Sequence, residues 1–176
     1  MDKKEIRAEI RRRKGLCPQE QRAELSRAAI ERLQQTAQWQ QAHTVLLYHS
    51  LPDEVCTHDL IPEAIRQGKR VLLPVVVGDE LELREYQEGS QLAEGAFHIQ
   101  EPTGTAVTDF ATIDLAVIPG VAFTAGGLRL GRGRGYYDRL LSRARVPYLI
   151  GLCWPFQLLP DLPAEPHDVK MDEVIC

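Results

Sequence analysis

This 176-residue sequence has no long hydrophobic run: its most apolar stretches, "TVLLY" and "RVLLPVVVG", fall far short of the ~20 residues a membrane-spanning helix needs. The first residues are charged and carry no apolar signal core, so a cytoplasmic protein without a membrane partner is expected. Cysteine is sparse and scattered. Cys17, Cys56, Cys153 and Cys176 form no C-x-x-C pair and have no histidine cluster beside them, which argues against a disulfide framework or a zinc site. A basic excess is missing as well. With a formal net charge of −4, the chain lacks the broad positive field of a general nucleic-acid binder, so any cationic site has to be local. No internal repeat or low-complexity segment occurs. What remains is 44% hydrophobic and 26% charged residues, ordinary for a globular protein, and a length that suits one domain over residues 1–176. A monomer is expected.

The apolar spacing of Ile6/Ile10 and Leu25/Ala29/Leu33 predicts two N-terminal helices, over Lys3–Lys14 and from Pro18 to about Gln41, with Gly15 ending the first. The pattern then changes. "TVLLYHS" reads as a short buried strand, a helix follows from Thr57 to Gln67 with Gly68 ending it, and "RVLLPVV" reads as the next buried strand. Strand, helix and strand in this order make a βαβ unit. Beyond Gly78-Asp79, the alternation in "LELREY" suits an antiparallel addition. Residues 87–107 are glycine-rich and weakly periodic, and read as mostly loop. "DLAVIPG" and "YLIGL" are further core strands, with a helix from about Tyr136 to Arg145 between them and a short edge strand at Val174-Ile175. The expected fold is α/β: a three-layer α/β/α arrangement with a mostly parallel central sheet and N-terminal helices. Sites in such sheets lie beyond the carboxyl ends of the strands.

The stretch "RLGRGRGYYDRL", Arg129 to Leu140, follows one of those ends. Its glycines permit close backbone approach, the helix beginning near Tyr136 offers unpaired N–H groups, and its arginines can fork onto phosphate oxygens. Those features suit an anion cradle, although the spacing is neither a P-loop nor a dinucleotide fingerprint. A base-stacking patch built on Tyr136 and Tyr137 and a plain surface turn are the competing readings. Lys3, Arg7 and Arg11 line one face of the first helix, where a bound anion would relieve their mutual repulsion; a solvated charge run is the alternative. Glu54 stands in the loop after the first core strand, with Thr57 as a candidate N-cap, and could hold a substrate amine or ring N–H or be a surface charge. Asp138 and Asp172 could hold Mg²⁺ on phosphate oxygens. His167 beside Asp168 suits either structural pairing or acid–base work.

Taken in order, "KKEIR", "LPDEVCT", "DLAVIPGVAFTAGGLRLGRGRGYYDRLL" and "GLCWPFQLLPDLPAEPHDVKMDEVI" resemble the 5-formyltetrahydrofolate cyclo-ligase (methenyltetrahydrofolate synthetase) family from Lys3 to Ile175. The glycine/YYD signature is the specific part; the N-terminal Lys-x-x-x-Arg is weak alone, and residues 78–112 carry no recognised motif. The resemblance implies an enzyme that converts 5-formyltetrahydrofolate to 5,10-methenyltetrahydrofolate with ATP and Mg²⁺, releasing ADP and phosphate. It implies ATP contacts from Lys3, Lys4 and Arg7 and from Arg129, Leu130, Gly131, Arg132, Gly133, Arg134, Gly135, Tyr136 and Tyr137. Arg132 to Tyr136 would also touch the folate, with Arg134 and Tyr136 catalytic. His49, Ser50, Leu51 and Glu54 would form the folate loop, and Asp138 and Asp172 the Mg²⁺ ligands. The sequence departs from common relatives in having Arg132 and Arg134 where tyrosine and glycine often stand, and His49 where an apolar residue is usual. Rival readings are another ATP-dependent ligase or kinase, and a non-catalytic nucleotide- or folate-binding module.

Overall fold

Helix α1 (Lys3–Leu16) starts on a reciprocal cap: the Asp2 carboxylate accepts the Glu5 N–H at 2.8 Å, and the Glu5 carboxylate accepts the Asp2 N–H at 2.7 Å. That satisfies amides which the first helical turn leaves without partners. The helix runs through Gly15 and stops only at Cys17, before Pro18. The second predicted helix is broken in two, α2 (Gln19–Gln35) and α3 (Ala37–Gln41). At the junction Thr36 is extended; its hydroxyl donates to the Leu33 carbonyl at 2.7 Å and accepts the Trp39 N–H at 3.2 Å. One residue thus closes one helix and caps the next, a local competition with the helical ladder that periodicity does not register.

The computed structural model describes residues 1–87, 89, 92–94, 100–102 and 104–176. Its central sheet contains β1 (Thr44–Leu46), β2 (Arg70–Val77), β3 (Glu80–Tyr86), β6 (Ala106–Val107), β7 (Leu115–Ile118), β10 (Leu149–Leu152) and β11 (Glu173–Ile175) in the spatial order β11-β10-β7-β1-β2-β3-β6. From β11 to β2 every pairing is parallel; β3 and β6 join antiparallel. The βαβ unit is present, with α4 (Leu60–Arg66) between β1 and β2. Gly68 (φ 83°) ends α4 in the left-handed region that glycine adopts without penalty. The expected loop over 87–107 requires correction: β4 (Leu92–Glu94) pairs with β5 (Gln100–Pro102), and β6 extends the sheet beside β3. The rest of that expectation, at residues 88, 90, 91, 95–99 and 103, lies outside the described residues.

Two apolar layers sandwich the sheet. Ala29 and Leu33 of α2, Trp39 of α3 and Leu60, Ile61 and Ala64 of α4 pack on Val45, Val71, Leu115, Val117 and Ile150. The opposite strand face, including Leu46, Leu72, Ala116 and Ile118, packs on Leu140 and Leu141 of α5 (Tyr136–Ala144). Each fully buried Val, Leu or Ile among them contributes about 1.5–3 kcal/mol. The result is a three-layer α/β/α fold with a mostly parallel sheet. A small hairpin missed by pattern reading, β8 (Ala122–Phe123) with β9 (Arg129–Leu130), follows β7 and buries Ala122 and Leu130 against Ile6 and Ile10 of α1. It thereby seats α1 over the carboxyl edge of the sheet. Register also brings Cys153 and Cys176 together, just past Leu152 and Ile175, and all four cysteines are free. Among the described residues, no helix is long and apolar enough to cross a membrane.

Candidate active site

The carboxyl edge of the sheet opens into a cleft of about 620 Å³. Its walls are α1 (Lys3, Arg7), the segment after β1 (Tyr48, His49, Leu51, Glu54), Pro74 and Val76 of β2, residues 129–138, and Glu165, His167 and Asp168. Most predicted site residues therefore share one cavity. Three residues of the implied ATP, folate and Mg²⁺ sites do not line it, and neither does Arg11 of the α1 charge row. Lys4 is exposed, one position round α1 from Lys3. Ser50 is buried: its hydroxyl accepts the Thr57 N–H at 2.9 Å, and its own N–H donates to the Thr57 hydroxyl at 3.2 Å. Thr57 is accordingly a clamp on this loop, donating to the Tyr48 carbonyl, and not the expected helix cap.

Asp172 is the third, and its pairing with Asp138 requires correction. It precedes β11 and accepts the Leu149 N–H at 2.7 Å, at the amino ends of β10 and β11, whereas Asp138 stands at the carboxyl edge. The aspartate that shares the cleft with Asp138 is Asp168: the Val169 N–H donates to Asp138 Oδ1 at 3.2 Å, and both aspartates line the cleft. In the sequence, Asp168 stands out only as the neighbour of His167. The signal in sequence is "HDVKMD", which offers two aspartates four apart without saying which end of the strand each occupies. Glu165, His167 and Asp168 offer donor atoms within 4.8 Å of one another, with Lys3 Nζ 3.3 Å from Glu165 and 3.8 Å from Asp168. His167 itself is exposed at the rim, Nε2 3.1 Å from Glu165.

One end of the cleft is built for an anion. Gly133 (φ 103°) and Gly135 (φ 70°) hold left-handed backbone that a side chain would strain, and a Cβ on Gly135 would meet Arg139 at 2.7 Å. Gly135 is the N-cap of α5, so the first amides of that helix and its positive dipole end face the cleft. Arg7 Nε donates to the Gly131 carbonyl at 3.0 Å and ties α1 to this turn. Arg129 lies beneath it with a 5% exposed side chain, donating to the Pro119 carbonyl at 3.0 Å, 3.6 Å from Asp138 and 5.5 Å from the Tyr137 ring centroid. Burial disfavours its charge and Asp138 opposes that; its Nε meets no hydrogen-bond partner among the described residues.

The other end is more apolar. Glu54 has a 12% exposed side chain, and burial pushes its carboxyl up, against the pull of the Leu51 N–H and Arg132. His49 stacks on His58 with ring centroids 4.0 Å apart. Burial, with His58 beside it, brings His49 down to about 4, so this ring is neutral at neutral pH. Burial likewise raises the Tyr137 and Tyr48 phenols. The cleft can thus hold a polyanion at one end and a flat, hydrogen-bonding apolar group at the other. It contains no nucleophile–base–orienter constellation among the described residues.

Known proteins resemble this chain over its whole length. The profile of the 5-formyltetrahydrofolate cyclo-ligase family matches residues 1–176. The 5-formyltetrahydrofolate cyclo-ligase of Escherichia coli K12 is 34% identical over 172 residues, covering 93% of each chain, and that of Mus musculus is 30% identical, covering 98% of this chain and 92% of its own. The solution structure of Aquifex aeolicus 5,10-methenyltetrahydrofolate synthetase superposes with a TM-score of 0.88 at 34% identity, covering 99% of this chain and 89% of that one. A whole-length family match, curated relatives and a solved fold thus agree, and the chain belongs to the 5-formyltetrahydrofolate cyclo-ligase family.

Proposed function

We propose that this chain converts 5-formyltetrahydrofolate to 5,10-methenyltetrahydrofolate with ATP, releasing ADP and phosphate. The observation that carries this reading is the pairing in one cleft of an anion cradle, Gly131–Gly135 at the start of α5, with the desolvated carboxylate of Glu54. Family membership supports it.

A formamide oxygen is a weak nucleophile, so the task is to hold it in line with the γ-phosphorus and to offset charge on the phosphoryl group. Lys3, Arg7 and Arg129 surround the phosphates, and the backbone amides of the glycine turn and of Tyr136 and Tyr137 donate to them. Arg134 and Tyr136 stand at the reacting end. The formyl oxygen attacks the γ-phosphorus and ADP departs. N10 then attacks the formyl carbon of this imidate phosphate and loses its proton, and phosphate leaves with the former formyl oxygen. Glu54 accepts a pteridine N–H, while the neutral His49 ring packs on the pteridine. This sequence needs no strong general base in its first step, in keeping with the residues present. Asp138 and Asp168 suit Mg²⁺, a hard cation that takes few carboxylates and keeps several waters; once bound, it neutralises phosphate charge.

Mixing the protein with 5-formyltetrahydrofolate, ATP and Mg²⁺ should give the near-ultraviolet absorbance of the methenyl product, dependent on ATP. Binding of both ligands without product would instead favour a non-catalytic nucleotide- or folate-binding module.

A further inference from the structure

We propose that Arg132 is a positioning residue that couples the two halves of the cleft, holding Glu54 when no nucleotide is present and exchanging to phosphate when one binds. This inference rests on the functional reading above. Arg132 Nη2 lies 2.7 Å from Asp53 Oδ1 and 3.0 Å from Glu54 Oε1, and Nη1 lies 3.3 Å from Asp53 Oδ2. The second Glu54 oxygen accepts the Leu51 N–H at 2.9 Å. Both oxygens of the carboxylate offered to the folate are therefore engaged by the protein, one of them by a residue of the phosphate turn.

A buried carboxylate needs a partner, and removing one is costly unless another arrives. Opening the contact for folate alone would leave Arg132 on Asp53 without a second anion. Nucleotide phosphate supplies one, because guanidinium forks onto phosphate as readily as onto carboxylate. Arg132 sits between Gly131 and Gly133, the latter at φ 103°, and its side chain is 48% exposed, so the change of partner is inexpensive. Asp53 is not stranded by the exchange: Lys14 Nζ lies 3.4 Å away with a side chain only 11% exposed, and remains its partner. When both ligands are present, each charge in the Lys14–Asp53–Arg132–Glu54 chain has a counterpart. Nucleotide and folate should therefore strengthen each other's binding, and by the same factor.

Calorimetric titration of 5-formyltetrahydrofolate, with and without a non-hydrolysable ATP analogue and Mg²⁺, tests this directly. In the unaltered protein the analogue should tighten folate binding about tenfold, within the usual ~5–150-fold range of such coupling. Arg132→Met keeps the stem and removes the fork. It should bring the factor close to one by letting folate bind the nucleotide-free protein more tightly. Asp53→Asn loosens the hold on Arg132 and should raise affinity for the analogue alone about threefold. If both ligands bind and Arg132→Met retains the full coupling, or Asp53→Asn leaves analogue affinity unchanged, the exchange is refuted while the functional reading stands. If the unaltered protein binds neither ligand, both fail together.

Discussion

The two edges of the central sheet use the same side chain for different ends. At the amino edge, Asp114 and Asp172 each sit just before a strand and hold the first amides of the strand next to it. Asp114 Oδ2 accepts the His43 and Thr44 N–H groups at 2.8 and 2.9 Å, and Asp172 Oδ2 accepts the Leu149 N–H at 2.7 Å. These carboxylates are satisfied by backbone, and the Thr44 amide leads the effects that hold the Asp114 carboxyl below its ordinary range. At the carboxyl edge, Asp53, Glu54, Asp138 and Asp168 face Lys14, Arg132, Arg129 and Lys3, and the last three carboxylates also accept the Leu51, Val169 and Glu165 amides. Their cationic partners are long side chains that can be redirected to a ligand. An aspartate hydrogen-bonded to amides alone fixes a strand, whereas one that also faces a cation is available for chemistry.

That contrast predicts a separation of effects. The largest belongs to Asp138→Asn, which keeps an acceptor for the Val169 amide but removes charge beside Arg129; turnover should fall about 100-fold, read from methenyl absorbance. Asp114→Ala should behave oppositely. It should cost about 1 kcal/mol in chemical denaturation, since water replaces part of what this exposed group provides, and leave kcat intact. Asp172→Ala removes a single amide contact and should cost about 0.5 kcal/mol. A large loss of turnover there with unchanged stability would collapse the distinction between the edges.

The smallest effect concerns His49, whose proton affinity is depressed in the fold. Above pH 6.5, the ordinary value, both folded and unfolded chains carry it neutral. As pH falls from 6.5 toward about 4, only the unfolded chain gains the proton, so folding loses stability over that window. His49→Leu should show a flatter decline in melting temperature across it. Parallel profiles for the two proteins would rule out His49 as a source of that pH dependence.

Much of the fold could be read from sequence because buried parallel strands are nearly all apolar. "TVLLY", "RVLLPVV", "DLAVIPG" and "YLIGL" became β1, β2, β7 and β10, and the strand–helix alternation fixed their common direction. The break at Thr36 leaves no mark in the periodicity, because the hydroxyl that makes it leaves the helical spacing on either side intact. The β8–β9 hairpin leaves none either, because two-residue strands carry no period. For the cleft, glycine and arginine spacing pointed to the cradle, but spacing alone could not place Lys3 in the cavity and Lys4 outside it. Nor could it tell Asp168 from Asp172: the chain crosses from one edge of the sheet to the other between them, and only topology records the crossing.

The reciprocal Ser50–Thr57 clamp, extended to the Tyr48 carbonyl, decides where the conformational entropy of binding falls. The loop carrying Glu54 is already tied down at both ends by buried hydrogen bonds, so ordering it further costs little. The facing turn, built on glycines that lose the most freedom when fixed, carries most of that cost. Substitutions that stiffen the glycine turn without distorting it should therefore alter affinity for phosphate, whereas comparable changes around Ser50 should act on folding alone.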